Sequence, residues 1–211
     1  PDPNPVELRK AVAEYVGHGV NKANIILGNG SIELIYMITE AFPCGFKAVI
    51  PVPSFTEYEK AALRVGGEPV FVPLPENFAL DVENVKKAVT EDTRIVSICN
   101  PHSPSGTLYS KETVLELLDL CRKKNAILSV DENYIEFAEK GQDATMAAYV
   151  KKYENLFVIR SVTKFYGMPG IRFGYGLATE SLIDTLQTVR QPWSINSLAG
   201  YATLAAFKDT E

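Results

Sequence analysis

The stretch RIVSICNPHSPSGTLYSKETVLELLDLCRKKNAILSVD, residues 94–131, decides the fold. It predicts a short strand over 94–99, a helix over 111–124, and a second strand over 126–130 that is followed by Asp131. Strands of four to six residues that alternate with longer helices are typical of an α/β domain with a mainly parallel sheet.

The same alternation continues through the rest of the chain. Asn4, Pro5 and Glu7 predict the start of a first helix, with Asn4 as its cap and Pro5 as its first residue, and Gly17 and Gly19 predict its end. No repeat or linker interrupts the pattern, so we predict a single domain. The other predicted strands cover 25–27, 47–52, 69–72, 156–159 and 173–177, and the other predicted helices cover 31–42, 56–65, 82–89, 181–189 and 197–208.

The composition excludes several classes of protein. Charged residues make up 22% and hydrophobic residues 46%, which is typical of a globular protein and excludes disorder, collagen and coiled coil. A net charge of −5 without a basic block argues against nucleic-acid binding. The apolar runs are too short to span a bilayer, and the start of the chain does not resemble a secretory leader, so we expect neither a membrane protein nor a secreted one.

The three cysteines, Cys44, Cys99 and Cys121, are odd in number and form no C-x-x-C pair. This spacing argues against a disulfide framework or a zinc site and favours a reducing cytoplasm. Each cysteine lies in or beside an apolar segment, so we expect all three to be small buried side chains.

Polar, turn-rich segments follow the predicted strands. Ligands of open α/β sheets bind at the carboxyl ends of the strands, so these segments are predicted to meet at one edge and to carry the function. They are residues 28–31, 51–55, 100–106, 131–134 and 161–164.

The first of these segments, Gly28-Asn29-Gly30-Ser31, precedes a predicted helix whose free N–H groups suit a phosphate. A purely structural turn is the competing interpretation. The chain contains no G-x-x-x-x-G-K-[ST] loop, and Glu33 stands where a dinucleotide fingerprint needs glycine, so neither nucleotide motif applies. Asp131, taken alone, fits a helix cap or a structural ion pair as well as a ligand contact.

Lys164 is the most informative single residue. A lysine is usually a solvated surface charge. This one follows a strand among hydroxyl, aromatic and turn residues, a setting in which desolvation can lower the pKa of a lysine and make its amine nucleophilic. Arg172 follows at the start of the next predicted strand and suits a phosphate dianion. A lysine for a Schiff base, Asp131 for a pyridinium nitrogen, and Arg172 with a helix N-terminus for a phosphate together meet the requirements of pyridoxal phosphate.

With these motifs in view, the chain resembles the fold-type I aminotransferases of class I and II. The resemblance rests on four segments and covers nearly the whole chain. Within the family the chain is similar to the histidinol-phosphate aminotransferase branch, and residues 163–175 and 192–196 favour its threonine-phosphate decarboxylase members. The segments are Ser161-x-Thr163-Lys164-x(7)-Arg172, Asp131-Glu132-x-Tyr134, Asn100-Pro-x-x-Pro104-Ser105-Gly106 and Gly28-Asn29-Gly30-Ser31-x-Glu33-Leu34.

The resemblance implies a role for each matched residue. Lys164 would bind the cofactor as a Schiff base, Asp131 would hold the pyridine nitrogen protonated, Tyr134 would contact the ring hydroxyl, and Phe55 would stack on the ring. The phosphate would be surrounded by Ser31, Ile32, Ser161, Thr163 and Arg172.

Three positions depart from the family pattern. Ile32 stands at a position that is more often polar, which matters little if only its backbone N–H is used. Ser103 stands where the family has an asparagine that contacts the ring hydroxyl, so Ser103 would reach that group only through water or leave the contact to Tyr134. Asn133 replaces a small residue and has no explanation in the sequence.

The resemblance also implies the wider biology. Residues 1–211 would form a three-layer α/β/α large domain that binds pyridoxal phosphate, without the amino-terminal arm and the carboxy-terminal small domain. The expected partners are a phosphorylated amino acid as substrate and a second copy in a cytoplasmic homodimer. The leading activity is a threonine-phosphate decarboxylase of cobalamin biosynthesis, the second is a class I or II aminotransferase such as one for histidinol phosphate, and the third is a non-catalytic ligand-binding domain.

Overall fold

The computed structural model describes residue 2 and residues 5–209, except for the side chain of residue 142. The chain alternates between strands and helices in the order that the sequence predicts. The strands are β1 Ile25–Gly28, β2 Lys47–Val52, β3 Glu68–Pro73, β4 Thr93–Cys99, β5 Ile127–Asp131, β6 Leu156–Ser161 and β7 Gly174–Leu177. The helices are α1 Val6–Val16, α2 Ser31–Glu40, α3 Glu57–Arg64, α4 Val82–Ala88, α5 Lys111–Lys123, α6 Gly141–Ala144, α7 Glu180–Val189 and α8 Ser197–Ala206.

The described strands form one seven-stranded sheet in the order β1-β7-β6-β5-β4-β2-β3. Neighbouring strands from β6 through β3 run parallel, whereas β7 runs antiparallel to both β1 and β6. The predicted α/β class with a mainly parallel sheet is therefore confirmed, and the reversed direction of β7 is a feature that the sequence pattern did not predict.

Helices cover both faces of the sheet, because side chains that alternate along each strand point to opposite sides. On β1, Ile25 and Leu27 belong to a hydrophobic core that includes residues of α1, α4, α5 and α8, whereas Ile26 belongs to a second core that includes residues of α2, α3 and α7. This alternation builds two hydrophobic cores and confirms the three-layer arrangement.

Some local predictions need correction. Cys99 and Cys121 are buried as expected, but Cys44 is exposed because it lies in the turn between α2 and β2, outside both cores. The predicted Asn4 cap lies outside the described residues, and α1 begins at Val6, so Pro5 precedes the helix rather than opening it. The short helices between β5 and β6 were not predicted. None of the helices described is both long and apolar enough to cross a membrane.

Gly174, the first residue of β7, offers a test of this packing. A Cβ atom at Gly174 would overlap the backbone of Gly30 and Ser31, whereas a Cβ at Gly170 meets nothing within 4 Å. We expect Gly174→Ala to lower the free energy of unfolding by about 1–3 kcal/mol, the usual cost of overpacking. Urea denaturation would measure this loss, and Gly170→Ala is the matched control. Equal stabilities of the two variants would contradict the close approach of β7 to α2.

Candidate active site

The carboxyl ends of β1 to β6 lie at one edge of the sheet, and the polar segments predicted from the sequence follow five of them. β7 begins at this edge because it runs in the opposite direction, and Gly174 pairs with Gly28 on one side and with Ser161 on the other. This geometry brings Arg172, two residues before β7, to the end of β1 and β6. The segments that the sequence predicts to share an edge therefore do so.

Asp131, the last residue of β5, is buried at this edge, with 4% of its surface exposed. The Tyr58 hydroxyl donates a hydrogen bond to Asp131 Oδ2 at 2.9 Å, and the backbone N–H of Asn133 donates to Oδ1 at 3.0 Å. Burial raises the pKa of Asp131 to about 6, although the two hydrogen bonds and the charge of Lys164 act in the opposite direction. Asp131 neither caps a helix nor forms an ion pair with a neighbouring cation in the described part of the chain.

Tyr58 is a site residue that the sequence reasoning missed. It lies in the first turn of α3 with its side chain buried beneath Phe55, whose half-exposed ring meets the Tyr58 ring edge-on at 5.9 Å between centroids. The sequence shows Phe55 and Tyr58 three residues apart, but no local pattern indicates that the Tyr58 hydroxyl reaches the Asp131 carboxylate at the end of β5.

A cradle lies where the N-terminus of α2 meets the segment before β7. Gly30 has a φ of 78°, and a Cβ atom there would overlap the Arg172 guanidinium, so the two residues are in close contact. The Arg172 backbone is left-handed, with φ 59°, and its Nη1 donates to the Pro169 carbonyl at 2.9 Å. The arginine is thereby fixed beside the free N–H groups of a helix N-terminus, which is an arrangement that suits an anion.

The other residues predicted for the phosphate lie around this cradle. Ser161 and Thr163 share a hydrogen bond of 2.8 Å between their hydroxyl groups at the end of β6. Ser31 and Ile32 open α2, and the Ile32 side chain lines a separate groove with Tyr36, so only its backbone N–H faces the predicted phosphate position.

Lys164 lies in the turn after β6 with an exposed side chain, so the desolvated setting that the sequence suggested is not found in the described residues. Lys164 belongs to neither core, although Val162 and Tyr166 on either side of it pack in or against one of them. The Lys164 amine lies 5.8 Å from the centre of the Tyr134 ring.

The loop that follows β4 forms the remaining wall of the candidate site. Ser103 and Tyr134 line one cavity of about 440 Å³ together with His102 and Phe137. His102 fixes the loop, because its two ring nitrogens lie 2.7 Å from Ser105 Oγ and 2.8 Å from the Pro53 carbonyl. No role for His102 was predicted from the sequence.

A buried ion pair supports the edge from the side opposite Tyr58. Arg160 and Glu132 are 2% and 0% exposed, and Arg160 Nη2 lies 2.9 Å from Glu132 Oε2. Burial alone would lower the pKa of Arg160, but the neighbouring Glu132 keeps it above its usual value. Glu132 also accepts hydrogen bonds from the Thr145 hydroxyl and the Met146 N–H, so it attaches the loop after β5 to β6.

Comparison with known proteins identifies relatives of the whole chain. Residues 1–211 match the family described as Aminotransferase class I and II. The chain is 41% identical, over 100% of its length, to the "Putative threonine-phosphate decarboxylase" of Caldanaerobacter subterraneus subsp. tengcongensis, and it spans 57% of that protein. It is 36% identical over 99% of its length to the histidinol-phosphate aminotransferase of Ruminiclostridium cellulolyticum, of which it spans 58%.

A solved structure has the same fold. The histidinol-phosphate aminotransferase of Sinorhizobium meliloti in complex with pyridoxal-5'-phosphate superposes with a TM-score of 0.90 and 26% identity. The match covers 99% of this chain and 56% of that structure. The chain thus spans a little over half the length of the relatives it matches.

The pKa of Asp131 makes a prediction about stability. Its pKa rises on folding from 3.8 to about 6, so the folded state holds a proton that the unfolded state has lost, and stability falls as pH rises through this window. Above pH 6 the buried charge costs about 3 kcal/mol, at about 1.4 kcal/mol for each pKa unit. Asp131→Asn in the cofactor-free protein should therefore gain most of this amount at pH 7.5 and about a third of it at pH 4.5.

Urea denaturation at the two pH values would measure the difference. Tyr58→Phe provides the matched variant, because loss of its hydrogen bond should raise the pKa of Asp131 further and steepen the pH dependence. A gain for Asp131→Asn that is the same at both pH values would contradict the raised pKa.

Proposed function

Because this chain belongs to the aminotransferase class I and II family, whose cofactor is pyridoxal phosphate, we propose that residues 1–211 form the cofactor-binding domain of an enzyme that acts on a phosphorylated amino acid. The observation that carries the proposal is the buried Asp131 carboxyl on the same sheet edge as the Gly30–Arg172 cradle. The two features match the two ends of the cofactor, a basic ring nitrogen and a phosphate.

At the ring end, the negative charge of Asp131 would complement the positive charge of a protonated ring nitrogen. Asp131 receives hydrogen bonds only from neutral donors in the described residues, Tyr58 and the N–H of Asn133, and its charge is destabilised by burial. A protonated ring nitrogen would supply the compensating positive charge. Asp131 would in turn keep that nitrogen protonated.

The phosphate end fits in charge and in space. Because Gly30 has no side chain, the Arg172 guanidinium can lie against the start of α2, where Ser31 and Ile32 supply the first N–H groups of the helix. Arg172 would neutralise the phosphate. Of the Ser161 and Thr163 hydroxyl groups, the one that accepts their shared hydrogen bond keeps its own proton and would donate it to the phosphate.

The remaining residues would orient the ring and move the proton. The half-exposed Phe55 ring would cover one face of the cofactor, and Tyr134, with Ser103 beside it, would contact its ring hydroxyl. When bound, pyridoxal phosphate accepts the electrons of the bond that breaks at the substrate α-carbon. Lys164 would hold the cofactor through its amine and would later carry a proton at Nζ to or from that α-carbon.

Decarboxylation of threonine phosphate is the activity we favour. It is supported by the similarity of Lys164-Phe165-Tyr166 and Trp193-Ser194 to threonine-phosphate decarboxylases and by the 41% identity to a relative with that name. Transamination of histidinol phosphate or a related amino acid is the second candidate, and it is supported by the relative that is 36% identical. The homodimer, the cytoplasmic location and the role in cobalamin biosynthesis stay predictions.

Replacement of Lys164 tests the cofactor assignment. In the full-length protein, Lys164→Ala should abolish the absorption band of covalently bound pyridoxal phosphate, because no other amine would take its place. Lys123→Ala, at an exposed lysine at the end of α5, is the matched control and should keep the band. An unchanged spectrum in Lys164→Ala would contradict the proposal.

The choice between the two activities needs a substrate test. Threonine phosphate offered without a keto acid should yield carbon dioxide and the corresponding amine, and Lys164→Ala should reduce the rate at least about 100-fold, as expected for loss of a general acid–base group. Turnover that requires 2-oxoglutarate and forms glutamate would instead establish the aminotransferase.

A further inference from the structure

Asn133 connects the two ends of the candidate site. Its backbone N–H donates to Asp131 Oδ1 at 3.0 Å, and its side-chain Nδ2 donates to Ser31 Oγ, at the start of α2, at 2.8 Å. Asn133 is 8% exposed, and its hydrogen bond to Ser31 is partly buried. One residue therefore contacts both the proposed ligand of the ring nitrogen and a proposed ligand of the phosphate.

We propose that Asn133 is a positioning residue that holds the Ser31 hydroxyl as a hydrogen-bond donor to the cofactor phosphate. The inference rests on the proposed function. It also explains why an asparagine stands where the family pattern has a small residue.

The direction of the hydrogen bond carries the argument. A serine hydroxyl has one proton to donate and accepts through its lone pairs, whereas a phosphate dianion only accepts. Because Asn133 Nδ2 donates to Ser31 Oγ, the Ser31 proton is not used in this contact and stays available for an acceptor in the cradle. A hydroxyl that already accepts a hydrogen bond is also a stronger donor.

The energetics of Asn133 argue against a purely structural role. Its Oδ1 atom is buried and accepts no hydrogen bond from the described residues, and an unpaired buried acceptor opposes folding about as strongly as one hydrogen bond favours it. The amide therefore adds little net stability. Its remaining effect is the orientation of Ser31.

The experiment compares two probes that differ only at the phosphate. Dissociation constants of pyridoxal phosphate and of pyridoxal are measured for the full-length cofactor-free protein and for Asn133→Ala. The substitution retains the backbone N–H to Asp131. We expect pyridoxal phosphate to bind roughly ten-fold more weakly, as for loss of one hydrogen bond to a charged group, and pyridoxal to bind unchanged.

Two further variants test the path through Ser31. Asn133→Ala should have no additional effect on pyridoxal phosphate affinity once Ser31→Ala is present, because the two act as one unit. Asn133→Asp has the same shape but can only accept from Ser31, so it should weaken binding more than Asn133→Ala. The phosphorus NMR shift of the bound cofactor should change in each Asn133 variant.

Asn155→Ala is the matched control. Asn155 donates to the Leu118 and Ala126 carbonyls at 3.2 Å, near the amino end of β6 and away from the cradle. This variant should be less stable than the unsubstituted protein, and its dissociation constants for pyridoxal phosphate and pyridoxal should be unchanged.

The possible failures are distinguishable. Equal weakening of pyridoxal and pyridoxal phosphate, additive effects of Asn133→Ala and Ser31→Ala, or an unchanged phosphorus shift would each overturn the role of Asn133. If the unsubstituted protein binds pyridoxal phosphate and only these results fail, the proposed function stands. If the unsubstituted protein binds no pyridoxal phosphate, the proposed function fails first.

Discussion

The buried carboxyl group of Asp131 is the constraint on which the edge of the sheet depends. A carboxylate that loses its water must be compensated by hydrogen bonds, and here each donor comes from a different part of the chain. Tyr58 comes from α3, and the N–H of Asn133 comes from the loop after β5. The position of α3, the path of that loop and the end of β5 are therefore fixed together.

Two adjacent acidic residues, Asp131 and Glu132, contact opposite faces of the sheet. Asp131 contacts α3 on one face of the sheet, whereas Glu132 pairs with Arg160 and binds the loop at Thr145 on the other. Removal of one partner from such a buried pair usually costs more than the pair itself contributes, because the remaining charge is left unpaired. The Glu132–Arg160 pair thus joins the loop after β5 to β6. Because Arg160 pairs with Glu132, it does not form an ion pair with Asp131.

Local patterns in the sequence predict the elements but not the contacts between them. The alternation of strands and helices and the position of Asp131 follow from apolar periodicity, and the shared sheet edge follows from the parallel arrangement. Tyr58, Asn133 and His102 escaped prediction because their partners lie far along the chain, and periodicity carries no information about such pairs. The direction of β7 and the exposure of Lys164 were missed for the same reason, since both depend on how the last strand enters the sheet.

The antiparallel β7 has a consequence for how the domain assembles. β1 is the first strand in the chain, yet in the described sheet it pairs only with β7, through Ile25 with Leu177 and Gly28 with Gly174. Contacts this distant in sequence form late, because a long loop must close before they contribute. A ribosome-bound chain that lacks β7 has no strand to pair with β1. If it ends before residue 172, it also lacks the arginine that lies beside Gly30. The cradle formed by Gly30 and Arg172 is thus completed late in synthesis, together with the sheet.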